Sequence, residues 1–285
     1  MNGYNVSRYA RPELLATAEW LAENLGRPGF GVLDLRWRPD GSGHRLYANG
    51  HIPGATYLDW RTDLAEQEDE SEALLLAGPT RIAETLARVG IGNGMVAVIY
   101  DDTAGSYAAR AWWTMRVYGF DSARILVGGL EAWRNLGQPI STTAELRPPT
   151  TFTPRLAGRT RLTASDVRQL IGSPQVQLLD ARAPSEFAGH AGSTRRLGHI
   201  PGAVNVPASA MTEPQTGRFH SAEELRSQLR KAGVDSRRRI VCYDSVGLGA
   251  CKLAFALTLL GCDDVAVYDG GWVEWGDRLD LPVER

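Results

Sequence analysis

The chain has 285 residues, a length that corresponds to one or two domains. Its hydrophobic content of 43%, charged content of 22% and formal net charge of -2 are ordinary for a globular protein and give no reason to expect nucleic acid or an acidic membrane as a partner. Three cysteines, Cys242, Cys251 and Cys262, are too few for a disulfide framework and form no metal-type Cys-x-x-Cys pair. The composition therefore indicates a reduced, cytoplasmic protein. Residues 1–13 lack the apolar core of a signal peptide, and no apolar run reaches the roughly 18 residues of a membrane span.

The first half of the chain alternates helical and strand patterns. Apolar residues at helical spacing predict a helix over residues 12–24, and the run Phe30–Asp34 predicts a buried strand. A polar loop over 37–50 leads to the motif His51-Ile52-Pro53-Gly54-Ala55. Further on, we predict a helix over 80–89, a strand over 95–100 that ends at Asp101, a helix over 107–118 and a strand over 123–127.

The second half repeats this order. We predict a helix over 163–170 with Thr163 or Ser165 as its N-cap, a strand over 176–179, a helix over 221–232, a strand over 240–243, a helix over 248–260 and a strand over 264–268. Matching landmarks in the two halves are 142 to 148 residues apart: His51 and His199, Asp34 and Asp180, Asp101 and Asp244, and Gly128 and Gly270. Such steady spacing indicates two copies of one domain.

The predicted fold class is α/β. Strands that alternate with helices favour a parallel sheet with helices on both faces, one in each half. We expect a first domain over residues 1–140 and a second over 162–285. Residues 141–161 are rich in Thr and Pro without periodicity, which is typical of a linker.

These landmarks resemble the rhodanese family in its tandem form, the thiosulfate and 3-mercaptopyruvate sulfurtransferases. A strand that ends in Asp-x-Arg precedes each His-Ile-Pro-Gly-Ala motif, and Gly-Gly with a Trp follows each later strand–loop–helix unit. The resemblance covers residues 6–282. It implies a doubly wound sheet in each half, an active loop in the second half and a degenerate loop in the first. In that family a loop cysteine accepts sulfane sulfur as a persulfide, which a thiophilic acceptor removes.

The position of the family cysteine holds Asp244 in this chain. The 3-mercaptopyruvate type usually reads Cys-Gly-Ser-Gly-Val-Thr, and the loop here reads Asp244-Ser245-Val246-Gly247-Leu248-Gly249. Only a thiolate can attack the soft sulfur and hold it. We therefore predict that Asp244 is a built-in anion in a cradle of loop N–H groups, which should favour its ionised form. Sulfur transfer would then be lost or strongly reduced, as in a pseudoenzyme.

Two alternatives remain open from the sequence. In the first, the chain is an active thiosulfate or 3-mercaptopyruvate sulfurtransferase whose nucleophile is Cys251, at the start of a helix, or Cys242, in a strand. In the second, the chain is a binding or regulatory module. An active enzyme would take a small anionic sulfur compound, whereas a pseudoenzyme would serve an unidentified protein partner. An aspartate nucleophile of the phosphoryl-aspartate or dehalogenase kind would need a supporting Lys and a second acid pair, which the sequence does not show.

Three arginines match the region where the family's 3-mercaptopyruvate enzymes bind the substrate carboxylate: Arg182, Arg195 and Arg196. A structural pair between Asp180 and Arg182, with the others as surface charges, is the equal alternative. Asp101 and Asp102 are adjacent carboxylates that should point in different directions, so we expect no metal site and no cofactor.

Overall fold

The computed structural model describes residues 5–67, 73–144 and 147–285. Residues 1–4 of the predicted N-terminal stretch, 68–72 of the first half and 145–146 of the predicted linker lie outside the described residues. Within the described residues, no helix combines the length and the apolar character needed to cross a bilayer.

The strands of the described residues are β1 (Leu15–Ala16), β2 (Phe30–Asp34), β3 (Ala55–Tyr57), β4 (Ala65–Gln67), β5 (Leu74–Leu76), β6 (Val96–Tyr100), β7 (Ala123–Leu126), β8 (Arg161–Leu162), β9 (Val176–Asp180), β10 (Val204–Asn205), β11 (Arg239–Tyr243) and β12 (Val265–Tyr268). The α-helices are α1 (Ala18–Asn24), α2 (Gly43–Asn49), α3 (Trp60–Asp63), α4 (Pro79–Arg88), α5 (Ser106–Val117), α6 (Gly129–Asn135), α7 (Ala164–Leu170), α8 (Pro184–Phe187), α9 (Ala222–Lys231), α10 (Leu248–Leu259) and α11 (Gly271–Trp275). Short 3-10 helices span Val6–Arg8, Pro12–Leu14 and Ala208–Met211.

Each half builds one five-stranded parallel sheet, as the sequence predicts. The first sheet has the order β1-β7-β6-β2-β3, and the second has the matching order β8-β12-β11-β9-β10. Because the strands are parallel, the loops that follow β6 and β11 leave their sheets at the carboxyl edge beside the loops that follow β2 and β9. The antiparallel pair β4–β5 has no counterpart in the second sheet.

Helices α5 and α10 form the centre of the molecule. They pack against each other between the two sheets, where Trp112 meets Phe255 edge to face with 4.9 Å between ring centroids. One continuous core contains both helices and the inner faces of both sheets. A separate apolar cluster covers the outer face of each sheet, with Trp133 in the first and Trp275 in the second. Since strand side chains alternate between faces, each sheet is buried on both sides.

The predicted helix over residues 12–24 is wrong in its first part. Leu15–Ala16 forms the edge strand β1 beside β7, and α1 begins only after Thr17, whose side chain accepts the N–H of Trp20. Leu14 and Leu15 satisfied a helical period, but Leu14 ends a short 3-10 helix and Leu15 begins the edge strand. The polar loop over 37–50 also contains α2, which the sequence did not indicate. Thr163 is the N-cap of α7, in a capping box with Asp166.

Candidate functional site

The carboxyl end of β11 carries the position at which the sequence predicts the family nucleophile. The strand ends at Tyr243, and α10 begins after Gly247, whose φ of 90° lies in the left-handed region. Asp244 fills the turn between them. Its Oδ1 accepts the N–H of Gly247 at 2.6 Å, and its Oδ2 accepts the N–H of Gly249 at 2.8 Å. The carboxylate therefore takes up N–H groups that this loop would otherwise offer to an anion.

The other loop residues contribute less to this cradle. Ser245 Oγ lies 3.4 Å from Oε1 of Glu186, and Val246 and Leu248 are half-buried. Among the contacts of the described residues, the N–H groups of Ser245, Val246 and Leu248 do not reach the carboxylate. Ala250, which the sequence did not single out, adds a further backbone N–H. The cradle is thus formed by the start of α10 more than by the loop itself.

Burial raises the pKa of the Asp244 carboxyl, which is only 8% exposed. The N–H bonds of Gly249, Gly247 and Ala250 act in the opposite direction, but desolvation is the larger influence. The cradle's N–H bonds lower the pKa of Asp244, as expected, but burial outweighs them and the pKa is raised overall. The hydrogen bonds stabilise the charge without fully offsetting the loss of water.

The first half repeats this arrangement at Asp101. Its Oδ1 accepts the N–H groups of Thr103 and Gly105, each at 2.9 Å, and its Oδ2 accepts that of Ala108 at 2.8 Å. Burial raises the pKa of this carboxyl as well. Asp102 turns away to an ion pair with Arg38, so the adjacent carboxylates point in different directions as predicted. Across residues 5–67, 73–144 and 147–285, no group of three or more His, Cys, Asp or Glu could hold a metal ion.

The Gly-Gly pair after the last strand of each half touches these loops. A Cβ on Gly129 would collide with the carbonyl oxygen of Asp101, and a Cβ on Gly271 would collide with that of Ser245. Both glycines also have positive φ values, of 55° and 62°. The glycines therefore permit the close approach of α6 and α11 to the loops, whatever residue the loops carry.

Both halves match one family model, that of the Rhodanese-like domain, over residues 17–136 and 163–278. The chain belongs to the rhodanese family. Its relatives include a putative thiosulfate sulfurtransferase, SseB, of Mycobacterium tuberculosis, which is 34% identical over 284 residues that cover 97% of this chain and 98% of SseB. Human 3-mercaptopyruvate sulfurtransferase is 34% identical over 281 residues, or 93% of this chain and 94% of the human protein.

A solved structure agrees with this membership. The crystal structure of SseA from Escherichia coli, a 3-mercaptopyruvate sulfotransferase with the rhodanese fold, matches with a TM-score of 0.82 at 28% identity. The match covers 91% of this chain and 98% of SseA. The tandem rhodanese architecture thus extends over nearly the whole chain, and the chain is a member of the sulfurtransferase family.

The rhodanese nucleophile is a thiolate, and the three cysteines of this chain are poor sources of one. Cys242 and Cys251 are completely buried, and Cys262 is 8% exposed. Burial raises the pKa of all three thiols. The guanidinium of Arg110 lowers the pKa of Cys251, but desolvation outweighs it. Each thiol is held in its protonated form inside the core.

The three arginines predicted to bind a substrate carboxylate do not converge on one point. Arg182 is buried in an ion pair with Asp180, donates to the carbonyl of Gly198 at 2.7 Å, and lies 4.3 Å from the ring centroid of Trp272. Arg195 has an exposed side chain. The guanidinium of Arg196 donates to the carbonyls of Trp275, Gly276, Arg278 and Leu281. The structural pair is present, and a role in substrate binding stays a prediction.

Sequence reasoning missed two buried cations in the central helices. Arg110 of α5 and Lys252 of α10 each lie five residues after the glycine that caps their helix. Arg110 reaches the second half, where it pairs with Asp269 at 2.9 Å and lies so close to Gly247 that a Cβ there would strike Nη1. Lys252 Nζ donates to Thr212 at 2.8 Å and acts electrostatically on Asp101 of the first half. The available signal was a charged residue at the same place in two largely apolar helices, although α5 also carries Arg116.

Proposed function

We propose that this rhodanese-family protein has lost sulfur transfer, or retains it only weakly, because Asp244 replaces the persulfide-forming cysteine. The observation that carries the proposal is the pair of hydrogen bonds from Gly247 and Gly249 to the two carboxylate oxygens. Sulfur transfer needs a thiolate that attacks the donor sulfur and keeps it as a persulfide anion on those same N–H groups. A carboxylate oxygen at this position has taken the place of that anion.

Burial of the thiols supports the proposal against an active enzyme that uses Cys251 or Cys242. Neither side chain has measurable exposure, and burial raises the pKa of both, so a donor would find neither thiolate nor access. Cys251 lies beside Arg110 in the core that the two halves share. Its use would require the central core to open.

We also propose domain boundaries and a cellular location for the protein. We assign domains to residues 1–140 and 162–285, a linker to 141–161 and a cytoplasmic location, which fits three unpaired thiols. An unidentified protein partner belongs to the same proposal. In that setting the two domains would act by binding rather than by turnover.

The test is a turnover assay of the purified wild-type protein with thiosulfate and cyanide, and with 3-mercaptopyruvate and a thiol. We expect no turnover above background and no added sulfur by intact mass spectrometry. Robust turnover would overturn the proposal. Should turnover occur and vanish in the Cys251→Ala variant, the alternative nucleophile would be established.

The variant Asp244→Cys tests whether the backbone N–H groups of the cradle can still support a persulfide. The N–H groups at the start of α10 should lower the pKa of the new thiol, so we expect one sulfur to be added on incubation with 3-mercaptopyruvate. Asp101→Cys is the matched control, because its loop offers N–H groups of the same kind in the other half. Sulfur on Asp244→Cys but not on Asp101→Cys would locate the remaining donor site in the second half.

A further inference from the structure

A cleft of about 690 Å³ opens at the loop of the first half. Its walls are the loop over residues 101–105, the turn between β7 and α6, and the segment over 214–219 that reaches across from the second half. Small-molecule sites commonly enclose roughly 300–1,000 Å³. The cleft therefore has the size of a ligand site, and it lies at the loop that carries Asp101 rather than at the loop that carries Asp244.

One side-chain difference between the halves accounts for an open space at this place. In the second half, Trp272 follows the Gly-Gly pair and stacks on the guanidinium of Arg182. The first half has Leu130 at the matching position, and the matching arginine, Arg36, lines the cleft. Both arginines make the same buried pair, with Asp34 in the first half and Asp180 in the second. Both arginine side chains are nearly buried, 6% exposed for Arg36 and 2% for Arg182, but Arg36 borders the cleft beside Leu130 whereas Trp272 stacks on Arg182.

Three arginines from separate segments line the cleft. Arg36 uses Nε and Nη2 for Asp34 and the carbonyl of Gly50, which leaves Nη1 for a ligand. Arg134 of α6 also lies close to Gly50: its Nη2 is 3.7 Å from the position that a Cβ on Gly50 would occupy. Arg218 comes from the second half, and its Nε lies 3.4 Å from the position that a Cβ on Gly128 would occupy.

The carboxylates in the same walls are already engaged. Both oxygens of Asp101 accept backbone N–H groups. Asp102 is bound at both oxygens by Arg38, which lies outside the cleft walls, and Glu131 pairs with Arg134 at 2.8 Å with a largely exposed side chain. With these carboxylates engaged, Nη1 of Arg36 and Nη2 of Arg134 are the cationic donors considered for a ligand at this cleft. Leu46, Leu130 and Phe219 supply apolar wall beside it.

We propose that the cleft of the first half binds a small organic anion, a molecule with a carboxylate or another oxyanion group on an apolar body. The anionic group meets Nη1 of Arg36 and the guanidinium of Arg134, and the body lies against Leu130 and Phe219. The segment over 214–219 closes one wall, so both halves contribute to the site. This site does not depend on Asp244 or on any sulfur chemistry.

The test measures binding of phenylpyruvate and phenyl phosphate to the full chain by isothermal titration calorimetry at constant ionic strength. Benzyl alcohol is the neutral comparison. We expect both anions to bind and the alcohol not to bind. The variant Leu130→Trp, which copies the second half, should weaken binding at least about tenfold. Arg134→Gln, a change at a partly exposed ion pair, should weaken it by a smaller factor.

Arg237→Gln removes an exposed arginine that pairs with Asp235 outside the cleft walls, and it is the matched control, with binding unchanged. Thermal unfolding shows whether the Leu130→Trp variant is folded. If it is not, the affinity of the Arg134→Gln variant tests the proposal instead. The proposal is overturned if neither anion binds to the wild type, if benzyl alcohol binds equally well, or if both folded variants bind as the wild type does. Because no probe carries sulfur, these outcomes are independent of the turnover assay.

Discussion

The two halves of the chain share a backbone and differ in what their side chains do with it. Both loops place an aspartate under the start of a central helix, and both sheets run in the same strand order. Yet Arg182 lies under Trp272, whereas Arg36 lines an open cleft beside Leu130. The loop cradle therefore belongs to the shared fold, whereas the side chain beside the equivalent arginine, Leu130 or Trp272, differs between the halves.

The central helices show the same contrast with charge. Arg110 and Lys252 occupy equivalent positions, but they have different partners. Arg110 faces the carboxylate of Asp269 at 2.9 Å, whereas among the described residues the hydrogen-bond partner of Lys252 Nζ is the hydroxyl of Thr212. One buried cation is therefore neutralised by contact and the other is not. Substitutions at the two positions should move stability in opposite directions.

Arg110→Met should have the largest effect. It leaves Oδ1 of Asp269 without its buried partner, and breaking a buried ion pair on one side typically destabilises by about 3–5 kcal/mol. Urea unfolding followed by circular dichroism measures the loss. Arg237→Met is the control, because that arginine forms an exposed pair with Asp235 and should change the unfolding free energy by less than about 1 kcal/mol. An equal effect of the two changes would contradict the distinction.

Lys252→Met should stabilise the protein at neutral pH. Burial lowers the pKa of Lys252 from 10.5 to about 8, a shift that corresponds to roughly 3 kcal/mol of unfavourable burial of the charged form. Since the unfolded chain binds the proton more tightly, the penalty is complete below about pH 8 and disappears as the pH rises towards 10.5. The gain from Lys252→Met should shrink over that window. Lys231→Met, at an exposed lysine, is the control and should leave the unfolding free energy within about 0.5 kcal/mol of the wild type.

Asp101→Asn and Asp244→Asn should have smaller effects, about 1–3 kcal/mol of destabilisation each, because an amide nitrogen cannot accept the N–H groups of the loop. Both carboxyl pKa values are raised by burial, so their contribution to stability is complete below the unfolded pKa near 3.8 and falls as the pH rises above it. Paired unfolding curves at pH 4 and pH 7 measure this. A destabilisation that grows with acidity in the wild type relative to the variants would contradict the direction.

Much of the fold could be predicted from the sequence because the two halves repeat the same landmarks in the same order. The paired landmarks at Asp34 and Asp180, and at Asp101 and Asp244, define two matching sheets even where a single element is ambiguous. The prediction failed at β1, because Leu15 fits a helical period but begins an edge strand, after Leu14 has ended a 3-10 helix. The occupation of the cradle by Asp244 could be anticipated from its position. The net direction of its pKa could not, because desolvation depends on three-dimensional packing.

The partners of Arg110 and Lys252 were also beyond sequence reasoning. Each side chain reaches residues more than 35 positions away, and the pattern of α5 and α10 shows only that a charge stands among apolar residues. Likewise, the cleft at Leu130 arises from a size difference whose meaning appears only when Arg36 and Arg182 are seen to occupy equivalent places. An internal repeat shows which residues of the two halves are equivalent. It does not show which side chains surround each of them in the folded protein.

The packing of α5 on α10 has a consequence for how the chain folds. Ten residues of α10 are buried, and its surroundings come from both sheets. Cutting the chain at the linker would turn the apolar side of each central helix towards water. We therefore expect the two repeats to unfold together as one cooperative unit.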